Sequence, residues 1–155
     1  GINIINNNIT EMYIKIEMDD GYVVVSPVDF ETKVDVKVKD NKPYVSIEAS
    51  GNAKVMEVNG HIDLENDSVI EEIRKKSNKE IKSYMKKAIN LAKENETDIF
   101  GFGLKLYKSN PDYFDKVKQS WNKDLKDLDI NIKSDLTIKS ISSTQNSVEV
   151  LDDKE

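Results

Sequence analysis

The side chains that could carry chemistry are one histidine and many carboxylates, with no cysteine beside them. His61 follows Asn59-Gly60 in a polar turn, and a metal site or a catalytic triad would need partner residues that this chain lacks. We therefore expect His61 to face solvent. Acidic residues occur throughout the chain, so no pair has the privileged position that glycoside hydrolysis requires. We predict no enzyme activity, no catalytic residue, no metal ligand and no cofactor, with a carboxylate-dependent hydrolase as an alternative.

The segment 98–103 contains a Gly-Phe-Gly motif that invites comparison with a phosphate-binding loop. A dinucleotide fingerprint needs a third glycine and a preceding strand, whereas here the preceding pattern is helical. Packing is the better interpretation. Gly101 and Gly103 would permit a close backbone approach and an unusual φ, Phe100 and Phe102 would enter the core, and Asp98 would cap a short helix.

Trp121 is the single tryptophan of the chain. It shares a predicted helical face with Phe114 and Val117, which favours a role as a core anchor. The alternative is a small-molecule or glycan-binding sensor, in which a ligand would bind near Trp121 and Phe102.

A row of lysines lies along one side of the longest predicted helix: Lys75, Lys79, Lys82 and Lys86. An ordinary solvated helix face explains such a row. A more specific interpretation is a surface that meets anionic lipid head groups or an acidic partner.

The elements that must position these residues begin with strands. Apolar residues alternate with polar ones over three stretches, 12–18, 30–39 and 130–138. Shorter runs at 22–25, 44–49 and 55–58 add strands, a turn is expected at 40–42, and a bulge or bend at Gly51-Asn52.

Three helices are predicted between the strands. The first runs from about 68 to 94, capped by Ser68 with Glu71 or instead by Asn66 or Asp67. Its expected apolar stripe is Ile70, Ile73, Ser77, Ile81, Tyr84, Ala88 and Leu91. A second helix covers about 100–108. A third begins at Asn110-Pro111 and aligns Phe114, Val117, Trp121 and Leu125 on one face. The predicted fold class is α+β, a largely antiparallel sheet with three helices packed on one face.

Length and composition indicate one domain over residues 1–155, with a frayed tail at 143–155. The net charge of −6 argues against general nucleic-acid binding, which needs a basic footprint. No apolar run approaches the roughly 20 residues of a membrane span. Because the sequence opens with Gly1-Ile2-Asn3, we expect it to be a fragment of a longer protein.

The middle third of the chain resembles a known family. A long Lys/Glu-rich helix is followed by the string Asp98-Ile99-Phe100-Gly101-Phe102-Gly103, a short helix, Pro111 and Trp121. This arrangement resembles the C-terminal domain of the Ger(x)C family, the C subunits of spore germinant receptors. The resemblance is densest from about 70 to 125.

The resemblance implies a role and a setting. It implies a non-catalytic domain of a lipoprotein that takes part in nutrient-triggered spore germination by docking within the receptor complex. Its partners would be the integral-membrane A and B type receptor subunits. A lipid anchor upstream of this chain would hold the full-length protein on the outer face of the spore inner membrane, while this fragment itself would be soluble.

Overall fold

The computed structural model describes residues 1–8 and 11–139, and the tail expected at 143–155 lies outside them. The described elements form an α+β fold, as predicted. In chain order they are α1 (Ile2–Ile5), β1 (Ile14–Met18), β2 (Gly21–Lys39), β3 (Lys42–Gly60), α2 (Asp67–Glu94), α3 (Phe102–Ser109), α4 (Pro111–Val117), α5 (Trp121–Asp124), a 3-10 turn (Leu125–Asp127) and β4 (Asp129–Lys139).

The four strands form one sheet in the order β1-β2-β3-β4. The pairs β1/β2 and β2/β3 are antiparallel, and β3/β4 is parallel. The largely antiparallel sheet is therefore confirmed. The parallel pair arises because the helices lie between β3 and β4 in the chain and provide the crossover that parallel strands need.

Strands β2 and β3 form one long hairpin of 19 residues on each side, where the sequence predicted shorter separate strands. Ser26-Pro27 does not end β2. The pairing of β1 with β2 ends at Ile14 and Val25, so Pro27 lies beyond it on the outer edge of the described sheet, a position that tolerates a missing N–H. Two register shifts absorb the local irregularity, and one of them faces Gly51.

The turn and the bulge of this hairpin were both predicted. Asp40 and Asn41 connect the strands with φ of 51° and 59°, as a tight hairpin turn requires. A Cβ added to Gly51 would lie 2.8 Å from the carbonyl oxygen of Asp29 and 2.9 Å from the Cα of Phe30. Glycine is therefore needed at 51 so that the bulged strand can pass this close.

Helix α2 begins with Asn66 as its cap, one of the predicted candidates. The Asn66 Oδ1 accepts a hydrogen bond from the Ser68 N–H at 2.9 Å. Glu71 does not complete a capping box, because its carboxylate binds the guanidinium of Arg74 instead. The observed bounds, Asp67–Glu94, agree with the predicted ones.

The buried face of α2 differs in part from the predicted stripe. The buried residues of α2 are Ile73, Ser77, Asn78, Ile81, Met85, Ala88, Ile89 and Ala92. Leu91 is 55% exposed, so its predicted place in the core is wrong. The next residue, Ala92, is buried instead, because adjacent residues of a helix point about 100° apart. The apolar residues on the sheet include Val36, Val45 and Ile47.

The predicted third helix is broken into α4, α5 and the 3-10 turn. The break follows Val117, whose carbonyl oxygen accepts the Ser120 N–H at 3.0 Å and the Ser120 hydroxyl at 3.2 Å. A serine that bonds the backbone locally competes with helical hydrogen bonds. Trp121 and Leu125 are nevertheless buried, as predicted. Short α1 was not predicted.

Candidate functional site

The segment from Asp98 to Gly103 connects the end of α2 to the start of α3. Gly101 is the residue before α3 and adopts φ 67°, ψ 32°, in the left-handed region. A Cβ at this position would meet no atom within 4 Å. Glycine is therefore favoured at 101 by backbone conformation and not by space, as predicted for the motif.

The Asp98 carboxylate accepts three N–H groups and so organises this junction. Its Oδ1 accepts the Phe102 N–H at 3.0 Å, and its Oδ2 accepts the Gly103 N–H at 2.7 Å. The indole Nε1–H of Trp121 also donates to Oδ2, at 2.9 Å. The predicted cap is confirmed. The bond to Trp121 was not predicted, because the two residues lie 23 positions apart and nothing local relates them.

Gly103 is required by the proximity of the tryptophan. A Cβ added here would lie 2.6 Å from the Trp121 Nε1 and 2.9 Å from its Cδ1. Such distances are too short for any side chain other than hydrogen. The two glycines of the motif thus serve different ends, since Gly101 permits a left-handed turn and Gly103 permits close packing of the indole.

The aromatic residues of the motif are buried, as predicted. Phe100 and Phe102 are 7% and 2% exposed, with ring centroids 5.3 Å apart. Trp121 is 5% exposed and meets the ring of Phe114 edge-on at 6.3 Å. The structure therefore leaves little ring surface at Trp121 or Phe102 for the sugar or nutrient that the sensor alternative would stack there.

Pro111 has a separate role. It is the first residue of α4, and the Oδ1 of Asn110 caps that helix by accepting the Tyr113 N–H at 3.0 Å. This matches the predicted start. The structure thus brings Phe102, Gly103 and Trp121 around the carboxylate of Asp98, and Pro111 serves the next helix.

The predicted lysine row lines a shallow groove beside β4, which we call the basic groove. The residues that line it are Arg74, Lys75, Asn78, Lys79, Lys82, Ser83, Lys86, Lys87, Asn90 and Ser134. None of them is acidic and none has a large apolar side chain. Sequence reasoning found the four lysines but missed Asn78 and Ser134, which belong to the groove only through the tertiary packing of α2 on β4.

The cations at the two ends of the row differ in their partners. Arg74 binds Glu71 through two hydrogen bonds of 2.7 and 2.8 Å, which lower the pKa of Glu71 to about 2. Lys75 is also close to Glu71, at 3.6 Å. Within residues 1–8 and 11–139, no carboxylate oxygen lies within 4.0 Å of the amino groups of Lys79, Lys82 and Lys86.

The other candidate groups are the histidine and the carboxylates of the described residues. His61 is exposed. No group of three or more His, Asp or Glu residues that could hold a metal ion occurs in the described part of the chain. In that part, the carboxyl groups with a resolved pKa shift are Glu71 and Glu96, and both pKa values are lowered by basic neighbours, Arg74 and Lys126. A general acid requires the opposite shift.

Membrane-spanning character is likewise not found among the described helices, since none combines the length and the apolarity that crossing a bilayer requires.

Comparison with known proteins gives three matches. The family described as "Spore germination B3/ GerAC like, C-terminal" matches residues 1–142. Spore germination protein KC of Bacillus subtilis (strain 168) is 28% identical over 110 residues, covering 70% of this chain and 27% of that protein. The crystal structure of the GerBC protein has the same fold, with a TM-score of 0.76 at 17% identity, covering 88% of this chain and 43% of that one. This chain thus spans about a quarter of the length of the first relative and less than half of the second.

Proposed function

We propose that this chain, which belongs to the family of spore germination B3/GerAC-like C-terminal domains, is a non-catalytic docking domain of a germinant receptor C subunit. In this role it takes part in nutrient-triggered spore germination. The observation that carries the proposal is the family match, which extends over residues 1–142 and so includes the whole described fold. The relative named spore germination protein KC supports it.

The geometry of the segment 98–103 supports a structural role for Asp98, its one ionisable residue. Both carboxylate oxygens of Asp98 already accept N–H groups from Phe102, Gly103 and Trp121. These three hydrogen bonds tie the carboxylate to the start of α3 and to α5, so its role in the fold is structural. Asp98, which the sequence predicted as a helix cap, thus holds the end of α2, the start of α3 and α5 together.

The proposed location of this domain depends on the full-length protein to which it belongs. A lipidated cysteine upstream of this chain would hold it at the outer face of the spore inner membrane, beside the integral-membrane A and B type subunits. Docking on those subunits, and not membrane insertion of this domain, would then link it to the receptor complex.

The experiment removes this domain from the full-length protein in a spore former. Spores whose gene lacks the segment for residues 67–139 are compared with wild-type spores after nutrient addition, and the fall in optical density is followed over time. We expect the nutrient response to be lost. A normal response, with the shortened protein present at its usual level by immunoblot, would reject the role in germination.

The same chain in isolation separates docking from direct sensing. A ligand that binds only the folded state stabilises it by RT ln(1 + [L]/Kd), or about 2.7 kcal/mol at a concentration 100 times Kd. We expect no change in Tm across a panel of amino acids, sugars and nucleosides. A reproducible upward shift with any one of them would favour the sensor alternative.

A further inference from the structure

The basic groove concentrates positive charge on a protein whose net charge is −6. Six of its ten lining residues are Arg or Lys, and no carboxylate shares the lining. In the described part of the chain, the amino groups of Lys79, Lys82 and Lys86 have no carboxylate within 4.0 Å. Some exposed lysines elsewhere in the described residues, Lys15, Lys118 and Lys133, have one, whereas others, such as Lys37 and Lys54, do not.

The lysines form one row along α2. Lys75, Lys79, Lys82 and Lys86 are spaced by four, three and four residues, which places them on one side of the helix. At a rise of 1.5 Å per residue the row is about 17 Å long. A row of fixed charges of this length fits an extended chain better than a single small anion.

The opposite side of the groove is the outer edge of the sheet. Strand β4 is last in the sheet order and pairs with β3 on one side only. On its other side, Asn78 of α2 binds the backbone of Leu136: Asn78 Oδ1 accepts the Leu136 N–H at 2.8 Å, and Asn78 Nδ2 donates to the Leu136 carbonyl oxygen at 3.3 Å. Asn78 therefore occupies, at one residue, the place of a fifth strand.

The rest of that edge runs beside the lysine row. In the middle of α2, Asn78 contacts Leu136. Near the C-terminal end of α2, Lys93 donates to the carbonyl oxygen of Leu128 at 2.7 Å. Residues 78–93 of α2 therefore run side by side with, and opposite in direction to, residues 128–136, which comprise Leu128 and the first part of β4. Because backbone groups alternate sides along a strand, the N–H and C=O groups of Ser134 and Ile132 point the same way as those of Leu136, away from β3.

We propose that the basic groove binds an extended acidic polypeptide segment of a partner protein. Its carboxylates pair with Lys79, Lys82 and Lys86, and its backbone lies along the outer edge of β4 near Ser134, which pairs with no further strand in the described part of the chain. Pairing with a sheet edge supplies main-chain hydrogen bonds, and the cations select acidic side chains.

The lining favours a polypeptide over a lipid surface. Between the cations lie hydrogen-bonding side chains, Ser83, Asn90 and Ser134, that suit peptide groups and carboxylates. Interfacial helices that bind membranes carry large apolar residues to enter the acyl region, and this lining has none.

This proposal gives the proposed docking function a location and rests on it for its biological meaning. Its test uses the isolated chain, so a failure here would leave the germination experiment unaffected.

The test measures binding of a fluorescein-labelled eight-residue peptide, (Asp-Glu)4, by fluorescence anisotropy. An extended peptide of this length spans about 26 Å, longer than the lysine row. We compare the wild-type chain with the triple variant Lys79→Glu, Lys82→Glu, Lys86→Glu. The matched control reverses three exposed lysines outside the groove, Lys37, Lys54 and Lys116, which changes the net charge equally. Far-UV circular dichroism checks folding, and Lys→Gln versions replace any variant that does not fold.

We expect the groove variant to lose at least tenfold in affinity and the control to stay within threefold of the wild type, with (Asn-Gln)4 binding to neither. Equal losses in the two variants would mean general charge attraction and would overturn the proposal, as would no binding to the wild type. Binding to vesicles of 30% phosphatidylserine in phosphatidylcholine without binding to the peptide would also overturn it and assign the groove to lipid.

One further variant removes the acidic side chains near the end of the chain: Glu149→Gln, Asp152→Asn, Asp153→Asn and Glu155→Gln. We expect the affinity for (Asp-Glu)4 to stay unchanged. A tenfold gain would show that the chain's own end competes for the groove and would overturn the assignment to a partner.

Discussion

Replacement of Asp98 by alanine removes the one carboxylate that binds two backbone N–H groups of α3 and the indole N–H of Trp121. Loss of a side-chain cap costs about 1 kcal/mol. The indole N–H of Trp121, a side chain that is only 5% exposed, is then left without an acceptor. A buried unsatisfied donor costs about 2 kcal/mol. We therefore expect Asp98→Ala to lower the free energy of unfolding by about 3 kcal/mol.

The assay is equilibrium unfolding in urea, followed by the fluorescence of Trp121, which as the single tryptophan reports on this junction. Asp112→Ala is the matched control, because Asp112 lies in the first turn of α4 but makes no hydrogen bond to that helix in the described structure. Its loss should cost about 0.5 kcal/mol through the helix dipole alone. A cost below about 1 kcal/mol for Asp98→Ala, or equal costs for the two variants, would refute the reasoning.

Three further predictions follow from other contacts. Gly103→Ala should lower the free energy of unfolding in urea by about 1–3 kcal/mol, because the new methyl group would overlap the ring of Trp121, and a neutral or stabilising effect would contradict this. Asn78→Ala should cost about 2 kcal/mol and speed amide hydrogen exchange at Leu136, since the N–H of that residue loses its acceptor, and unchanged protection would contradict the contact. Glu71, whose usual pKa is 4.5, should titrate at about pH 2 by NMR. The stabilising effect of its ion pair is therefore complete above pH 4.5 and lost as the pH falls through about 2, and titration near 4.5 would contradict the pair.

Local signals predicted much of the fold. The Asp40-Asn41 turn, the Asn66 cap and the Asn110-Pro111 helix start each depend on neighbouring residues, and the structure confirms each one. Alternation of apolar residues likewise identified the strands. These features are decided within a few residues of the chain, so one sequence is enough to find them.

Features that depend on tertiary contact were missed or only partly right. The run at 22–25 was predicted as a short strand, but β2 continues past Pro27, which lies beyond the pairing with β1 on the outer edge of the described sheet. The long third helix was broken at Ser120, whose hydrogen bonds to the Val117 carbonyl oxygen compete with helical ones. The parallel pairing of β4 also depends on where the chain returns and not on the residues of β4 itself.

In the candidate site, too, local features were predicted and tertiary contacts were missed. The sequence identified Asp98 as a cap and the two glycines as positions of an unusual φ or a close backbone approach, because the motif itself contains those signals. It could not supply the bond between Asp98 and Trp121, which explains why Gly103 tolerates no side chain. The role of Asn78 was also hidden, since nothing in the helical pattern indicates that it reaches the backbone of β4.

We propose that this domain docks within a receptor complex and performs no chemistry. The most direct measurement is the amount of integral-membrane receptor subunit that co-purifies from spore membranes with the tagged full-length C subunit, with and without residues 67–139 of this chain. We predict at least a tenfold fall in the recovered integral-membrane subunit when the domain is removed. Equal recovery, normalised to the amount of tagged protein, would contradict it.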